Sequence, residues 1–130
     1  MNKSFSRGRI LVVEDEMMIL MLIEAVLRDY GCESVTSVAT VEQALALIAT
    51  QSFDVAMLDV NLNGDKSYAV ADALAARGVP FFFSTGYSPH GLREGYRDHP
   101  ILNKPFDCEK LVEMLKALSF RKNEFALKRK

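Results

Sequence analysis

The chain has 130 residues, the size of one domain. Hydrophobic residues make up 49% of it and charged residues 25%, as in an ordinary globular protein, and 16 basic and 17 acidic residues leave a formal net charge of −1. This balance produces no overall field that would attract nucleic acid or an anionic membrane. Neither is therefore an expected partner.

The two cysteines, Cys32 and Cys108, lie far apart and outside any metal-binding spacing, which favours a reducing compartment. The N-terminus is polar and has no apolar signal sequence. The longest apolar run near it, Met17 to Ile23, is much shorter than the roughly 20 residues that a membrane span needs. A cytoplasmic location is expected.

Apolar runs and capping residues predict five strands that alternate with helices. The predicted strands are 10–13, 34–39, 54–58, 81–84 and 101–102. Four helices are predicted. The first spans 15–30, and the second follows a capping box formed by Thr40 and Gln43. The third runs from about 67 to 77, and the fourth follows a cap at Asp107. This order predicts an α/β protein with a doubly wound, five-stranded parallel sheet.

The first predicted helix has an apolar face and ends at Gly31, which is a typical C-cap. The residues of this face, expected to be buried, are Ile19, Leu22, Ile23, Val26 and Leu27. In contrast, the segment Gly86 to Pro100 has three glycines, two prolines and no clear apolar helix face. A weak or shortened fourth helix is expected there, with His90 and His99 facing solvent.

Four of the predicted strands end in polar residues. These strand ends are Glu14–Asp15–Glu16, Asp59, Ser84–Thr85 and Asn103–Lys104–Pro105. Ligands of open α/β sheets bind at the carboxyl ends of the strands, so these side chains are expected to converge at one edge of the sheet.

The converging groups suit phosphoryl transfer that depends on a divalent cation. Clustered carboxylates repel each other unless a cation joins them, and oxygen ligands suit Mg²⁺. A carboxylate nucleophile can form an acyl phosphate, whose equatorial oxygens then need neutralisation. Mg²⁺, the ammonium group of Lys104 and the hydroxyl of Thr85 would supply it.

Four motifs in this order closely resemble the receiver domain of bacterial two-component response regulators. They are RILVVEDE at the first strand, VAMLDVNL at the third, FFFSTGY at the fourth and LNKPF at the fifth. The resemblance covers about residues 9–119 and implies the flavodoxin-like receiver fold, with an N-terminal tail at 1–8 and a basic C-terminal tail at 120–130. No output domain is expected.

The resemblance implies a role for each residue of the site. Asp59 would be the phosphoacceptor, Asp15 a direct metal ligand, Glu14 an outer ligand acting through water, Asn61 a ligand through its carbonyl, Thr85 a phosphoryl-binding residue and Lys104 its cationic partner. A cis bond is expected between Lys104 and Pro105.

The chain departs from the family pattern at Ile101, where many receivers have Tyr or Phe as a switch residue. The FFFSTGY motif is similar to that of a subfamily with a Phe-Ala-Thr-Gly-like motif and a mobile or shortened fourth helix. Several of those proteins serve kinases of the HWE or a related class. The segment Gly86 to Pro100 is therefore predicted to be mobile without phosphate and ordered by it.

Two other functions fit parts of the pattern. Haloacid-dehalogenase-type phosphatases also use an aspartate nucleophile with Mg²⁺, but they need a second Asp two residues later, where this chain has Asn61. A degenerate receiver that binds proteins without phosphorylation usually lacks the acceptor, the metal carboxylates or the lysine, and all of these are present here.

The expected partner is a sensor histidine kinase or a histidine phosphotransfer protein. Met17, Met18 and Met21 lie opposite the predicted core face of the first helix, and exposed methionines form adaptable binding surfaces. They are predicted to form part of the docking site, and packing against the C-terminal tail is the alternative. Output through partner binding, phosphate relay or a phosphate sink stays open.

Overall fold

The computed structural model of the chain describes residues 8–86, 92, 95–96 and 99–128, with side chains up to Leu118. The strands are β1 (Arg9–Val13), β2 (Ser34–Val38), β3 (Val55–Asp59), β4 (Asn61–Leu62), β5 (Asp65–Lys66), β6 (Phe81–Thr85) and β7 (Ile101–Asn103). The helices are α1 (Met17–Asp29), α2 (Val41–Thr50), α3 (Tyr68–Ala76) and α4 (Cys108–Lys128).

Five of the strands form one parallel sheet in the order β2-β1-β3-β6-β7. This is the predicted doubly wound, flavodoxin-like fold. The chain reverses its direction of strand addition after β2, so β3 pairs with the other side of β1 and lies at the centre of the sheet. The carboxyl ends of β1, β3, β6 and β7 consequently meet at one edge.

The sheet separates two apolar clusters, as expected for a parallel sheet covered on both faces. Phe82 packs in the cluster beneath α1 and α4, whereas its neighbour Phe83 packs in the cluster beneath α2 and α3. Both rings are completely buried, and each burial stabilises the fold by about 1.5–3 kcal/mol. The period-2 alternation of β6 therefore assigns its successive side chains to opposite layers.

The predicted helix ends are confirmed by their hydrogen bonds. Thr40 Oγ1 accepts the backbone N–H of Gln43 at 3.1 Å, and the Gln43 side chain accepts that of Ala39 at 3.1 Å. Gly31 has a φ of 84°, the left-handed conformation that glycine adopts most easily after a helix. Asp107 Oδ1 accepts the N–H of Glu109 at 2.9 Å and caps α4.

The predicted core face of α1 was partly wrong. Leu22 is 48% exposed, and the buried residues are Leu20, Ile23 and Leu27. Their spacing of three and four residues forms a narrow stripe, which rotates the buried face toward Leu20 and leaves Leu22 beside the outer surface. The three methionines on that surface are exposed as predicted: Met17 by 67%, Met18 by 85% and Met21 by 61%.

The segment between β6 and β7 contributes to the core, contrary to expectation. Leu92 and Tyr96 are buried in the cluster beneath α2 and α3. The prediction that His99 faces solvent was wrong, because its ring stacks on Phe81 with centroids 4.5 Å apart. Burial lowers the pKa of His99 below its ordinary value.

The predicted weak fourth helix and the mobility of this segment fall mostly outside the described residues, as do His90 and Tyr87. Of the described residues between β6 and β7, all except Pro100 lie in turns or bends. The backbone of α4 is helical as far as Lys128, so the predicted start of the basic tail at residue 120 lies within a helix.

Among the described helices, none combines the length and the apolar character required to cross a bilayer. Both cysteines are free: Cys32 is buried and Cys108 partly buried.

Candidate functional site

The acidic residues after β1 are held in place by backbone groups. Glu14 continues the strand, since its N–H donates to the Val38 carbonyl at 3.0 Å, and its side chain is buried. Glu14 Oε2 accepts the N–H of Glu16 at 3.1 Å. Asp15 Oδ2 accepts the N–H of Asn63 at 3.0 Å. Each carboxylate thus has one oxygen fixed by the backbone and one directed elsewhere.

A small hairpin positions Asp15 and was not predicted. The two-stranded antiparallel pair β4–β5 is joined by Asn63 and Gly64, both with positive φ (53° and 95°). An Asn-Gly pair is the strongest local sequence signal for such a turn, so LNGDK could have revealed it. The hairpin matters for the site because the backbone N–H of Asn63 is the partner of Asp15.

Asp59, the predicted phosphoacceptor, is buried at the end of β3. Its Oδ1 accepts the backbone N–H of Asn61 at 3.2 Å, and its Oδ2 accepts a hydrogen bond from Lys104 Nζ at 3.1 Å. The bond between Lys104 and Pro105 is cis, as predicted.

The ammonium group of Lys104 joins the carboxylates of two strands. Its Nζ lies 2.9 Å from Glu14 Oε1 and 3.1 Å from Asp59 Oδ2, with Glu16 Oε1 farther away at 3.9 Å. Burial by itself would lower the pKa of Lys104, but hydrogen bonds and charges from Glu14 and Asp59 outweigh it and raise that pKa. Lys104 is therefore a fixed cation at the centre of the site.

Glu14 has a strongly perturbed acidity. Burial raises its pKa from 4.5 to about 7; the hydrogen bond from Lys104 opposes this rise, and the neighbouring Asp59 adds to it. Near neutral pH this carboxyl group is therefore partly protonated.

The raised pKa of Glu14 predicts a pH-dependent stability in the absence of divalent cations. The folded state binds a proton between pH 4.5 and about 7 that the unfolded state has released, so the free energy of unfolding falls as pH rises through this window. Since the group is buried, the expected loss is up to about 3 kcal/mol. Urea unfolding from pH 4.5 to 8 measures it. Glu14→Gln should flatten this part of the profile, and an unchanged slope would contradict the assignment.

The acidic residues fit a divalent cation. Oxygens of Glu14, Asp15 and Asp59 lie within 4.8 Å of one another. Asp15 Oδ1 is buried and has no hydrogen-bond partner among the described residues, which marks it as an atom able to coordinate an ion. An all-oxygen set with several carboxylates suits Mg²⁺.

The remaining predicted site residues also lie at this edge. Asn61 follows Asp59 by two residues and contacts it through its N–H. Thr85 is buried at the end of β6, and its carbonyl accepts the N–H of Lys104 at 2.9 Å. The roles of the Asn61 carbonyl as a ligand and of the Thr85 hydroxyl remain predictions.

Known proteins are similar to this chain in sequence. Residues 10–116 match the model of the response regulator receiver domain. The chain is 30% identical over 112 residues to the sensory transduction protein LytT of Bacillus subtilis, an alignment that covers 83% of this chain and 46% of LytT. The chain therefore spans about half the length of the curated relatives it matches.

Solved structures agree in fold. SdrG from Sphingomonas melonis Fr1 is 44% identical, with a TM-score of 0.75 over 87% of this chain and 97% of SdrG. The receiver domain of the sensor histidine kinase PA1611 from Pseudomonas aeruginosa PAO1 is 28% identical, with a TM-score of 0.72 over 87% and 98% of the two chains. That structure has a magnesium ion coordinated in its active site cleft. The matched family model, together with the acidic edge that holds Asp59 and Lys104, shows that this chain belongs to the response regulator receiver domains of two-component signalling.

Proposed function

We propose that the chain is a phosphorylation switch that accepts a phosphoryl group on Asp59 from the phosphohistidine of a kinase or phosphotransfer protein. The observation that carries the proposal is the position of Lys104 Nζ, 3.1 Å from Asp59 Oδ2 and 2.9 Å from Glu14 Oε1. A nucleophilic carboxylate, a second carboxylate and a fixed cation are the elements that acyl phosphate formation needs.

The transfer requires little covalent chemistry from the protein. A carboxylate oxygen of Asp59 forms a bond to phosphorus while the bond between phosphorus and the histidine nitrogen breaks, and the imidazole retains the electron pair and takes up a proton. The N–H of Asn61 holds the other Asp59 oxygen in place. Lys104 supplies positive charge for the transferred phosphoryl oxygens, and Thr85 a hydroxyl for one of them.

A cation would be held by Glu14, Asp15, Asp59 and the Asn61 carbonyl, with Glu14 acting through a water molecule. Bound there, Mg²⁺ neutralises the charge of the phosphoryl oxygens. The backbone bonds to Asp15 and Glu14 hold these carboxylates in position before any cation binds, so the site needs little rearrangement on loading.

Labelling with acetyl phosphate distinguishes this proposal from its two rivals. A receiver is expected to incorporate one acid-labile phosphate in a Mg²⁺-dependent manner. An Asp-nucleophile phosphatase would instead turn over many phosphate esters, and a degenerate receiver would show no reaction. The phosphatase is disfavoured because Asn61 lies where that mechanism needs a carboxylic acid. The intact Asp59–Lys104 pair disfavours the degenerate receiver.

The methionine surface, defined as Met17, Met18 and Met21, is proposed to dock the phosphodonor protein. It begins at the first turn of α1, directly after the acidic residues of the site. A partner helix packed on exposed methionines at this place would bring its phosphohistidine close to Asp59. Leu22 extends the apolar surface toward the middle of the helix.

Met21→Glu is expected to slow phosphotransfer from the partner protein by about tenfold or more, because a charge in the apolar contact weakens docking. Acetyl phosphate, which needs no docking, should label the variant at the normal rate. Ala46→Glu, which adds the same charge to the exposed side of α2, is the matched control and should alter neither rate. Equal phosphotransfer rates in Met21→Glu and the unaltered protein would contradict the docking site.

The proposal extends to the output. The phosphorylated chain would act by partner binding, by relay of the phosphate or as a phosphate sink. The segment Gly86 to Pro100 is proposed as its switch, in place of the aromatic residue that Ile101 replaces. A cytoplasmic location agrees with the two free cysteines.

A further inference from the structure

A buried serine hydroxyl lies at the acidic edge without a partner. Ser84 is completely buried in β6, and no described residue forms a hydrogen bond with its Oγ. Buried polar groups are nearly always hydrogen-bonded, because a hydroxyl that loses water without gaining a partner lowers stability. The position of Ser84 indicates in which state of the protein its hydroxyl gains a partner.

Ser84 is the neighbour of the phosphoacceptor in the sheet. It is in register with Asp59 of β3 on one side and with Leu102 of β7 on the other. Side chains alternate between the two faces of the sheet. Met57 lies two residues before Asp59 and Phe82 two residues before Ser84, and both pack beneath α1 and α4. The Asp59 and Ser84 side chains therefore project from that same face, on strands about 4.8 Å apart.

Lys104 must reach across β6, the strand that carries Ser84, to contact Asp59. It follows β7, which is separated from β3 by β6, and its N–H still pairs with the Thr85 carbonyl at 2.9 Å. Its ammonium group nevertheless lies 3.1 Å from Asp59 Oδ2. The lysine side chain must therefore span the end of β6, and Leu102, two residues before it, packs on the same face as Phe82, which is also the face of Ser84.

The ammonium group has three N–H donors; it donates to Asp59 Oδ2, and Glu14 Oε1 lies 2.9 Å from the nitrogen. A phosphoryl group on Asp59 would draw the ammonium away from Glu14 toward the new negative oxygens. We propose that Ser84 is a positioning residue whose Oγ then accepts an N–H of Lys104, which orients the ammonium toward the phosphoryl group. The inference rests on the proposed function, since it concerns the phosphorylated state.

Ser84→Ala and Ser67→Ala form a matched pair of variants. Both serines are completely buried, and both hydroxyls lack a partner among the described residues, but Ser67 precedes α3 and lies outside the five-stranded sheet. Each variant removes an unsatisfied hydroxyl, so the free protein should be as stable as before or slightly more stable. Only Ser84→Ala should bind beryllofluoride, a phosphoryl mimic, about tenfold more weakly in saturating Mg²⁺.

NMR of the Lys104 ammonium group tests the contact directly. In the unaltered protein, beryllofluoride should slow exchange of the ammonium protons with water, and in Ser84→Ala this slowing should be largely lost. Failure of the unaltered protein to bind beryllofluoride would contradict the proposed function itself. If binding is normal, equal affinity or equal ammonium exchange in Ser84→Ala overturns the role of Ser84. A marked loss of stability in free Ser84→Ala also overturns it, because the hydroxyl would then have a partner already.

Discussion

Asp59→Asn is expected to abolish phosphorylation by both acetyl phosphate and the phosphodonor protein, lowering the labelling rate by more than about 100-fold because the nucleophile itself is lost. The fold should persist, since an amide has nearly the same shape and its oxygen can still accept from Lys104 Nζ or the Asn61 N–H. Acid-labile phosphate per chain measures the effect, with urea unfolding as the test of structure.

Asp65→Asn is the matched control for this variant. It makes the same chemical change on the exposed strand β5 of the neighbouring hairpin, at a residue outside the described ion pairs of Lys104, and should leave labelling unchanged. Phosphate that persists on Asp59→Asn at the normal rate would show that another residue is the acceptor.

The composition of the acidic edge was predictable because strand order alone brings these residues together. Short apolar strands that alternate with helices force parallel pairing, and parallel pairing places the residues after β1, β3 and β7 at the same edge. That topology brings Glu14, Asp59 and Lys104 to one edge, and the side-chain rotamers then place Lys104 Nζ within hydrogen-bond distance of both carboxylates.

The support of the site was harder to predict because it depends on backbone groups. The Asn63 N–H that holds Asp15 comes from a turn whose Asn-Gly signal is local, but its contact with Asp15 spans 48 residues of sequence. The unpartnered hydroxyl of Ser84 is likewise visible only once register and burial are known. The alternation of a strand indicates which face a residue occupies, but not which hydrogen bonds remain unmade.

Two predictions for the layers around the sheet were wrong because tertiary packing overrode the sequence pattern. Leu22 belongs to the apolar pattern of α1, yet the helix rotates so that Leu20 fills the core instead. His99 follows a glycine-rich segment that has no regular period, and contacts with the rings of Phe81, Phe83 and Tyr96 explain its partial burial. Periodicity cannot assign contacts within such a segment.

Lys104→Met is expected to destabilise the protein by about 3 kcal/mol at pH 8 without divalent cations. The methionine fills a similar volume but removes the charge between Glu14 Oε1 and Asp59 Oδ2, which then face each other in a buried site. Phosphorylation by acetyl phosphate should also slow, because the variant lacks the cation that neutralises the phosphoryl oxygens. Urea unfolding and labelling rates measure the two effects.

Conditions that neutralise the carboxylates should restore the stability that Lys104→Met loses. Lowering the pH toward 6 should restore much of it, because Glu14, whose pKa already lies at about 7, takes up a proton more readily once the ammonium is gone. Saturating Mg²⁺ should restore it at pH 8 by screening the same charges. Lys110→Met, a change of the same kind on the exposed side of α4, should show neither loss nor rescue. Two results would contradict this explanation. Lys104→Met could be as stable as the unaltered protein at pH 8, or its loss of stability could be the same at pH 6 and in saturating Mg²⁺. Either result would show that Lys104 does not stabilise the protein by relieving repulsion between these carboxylates.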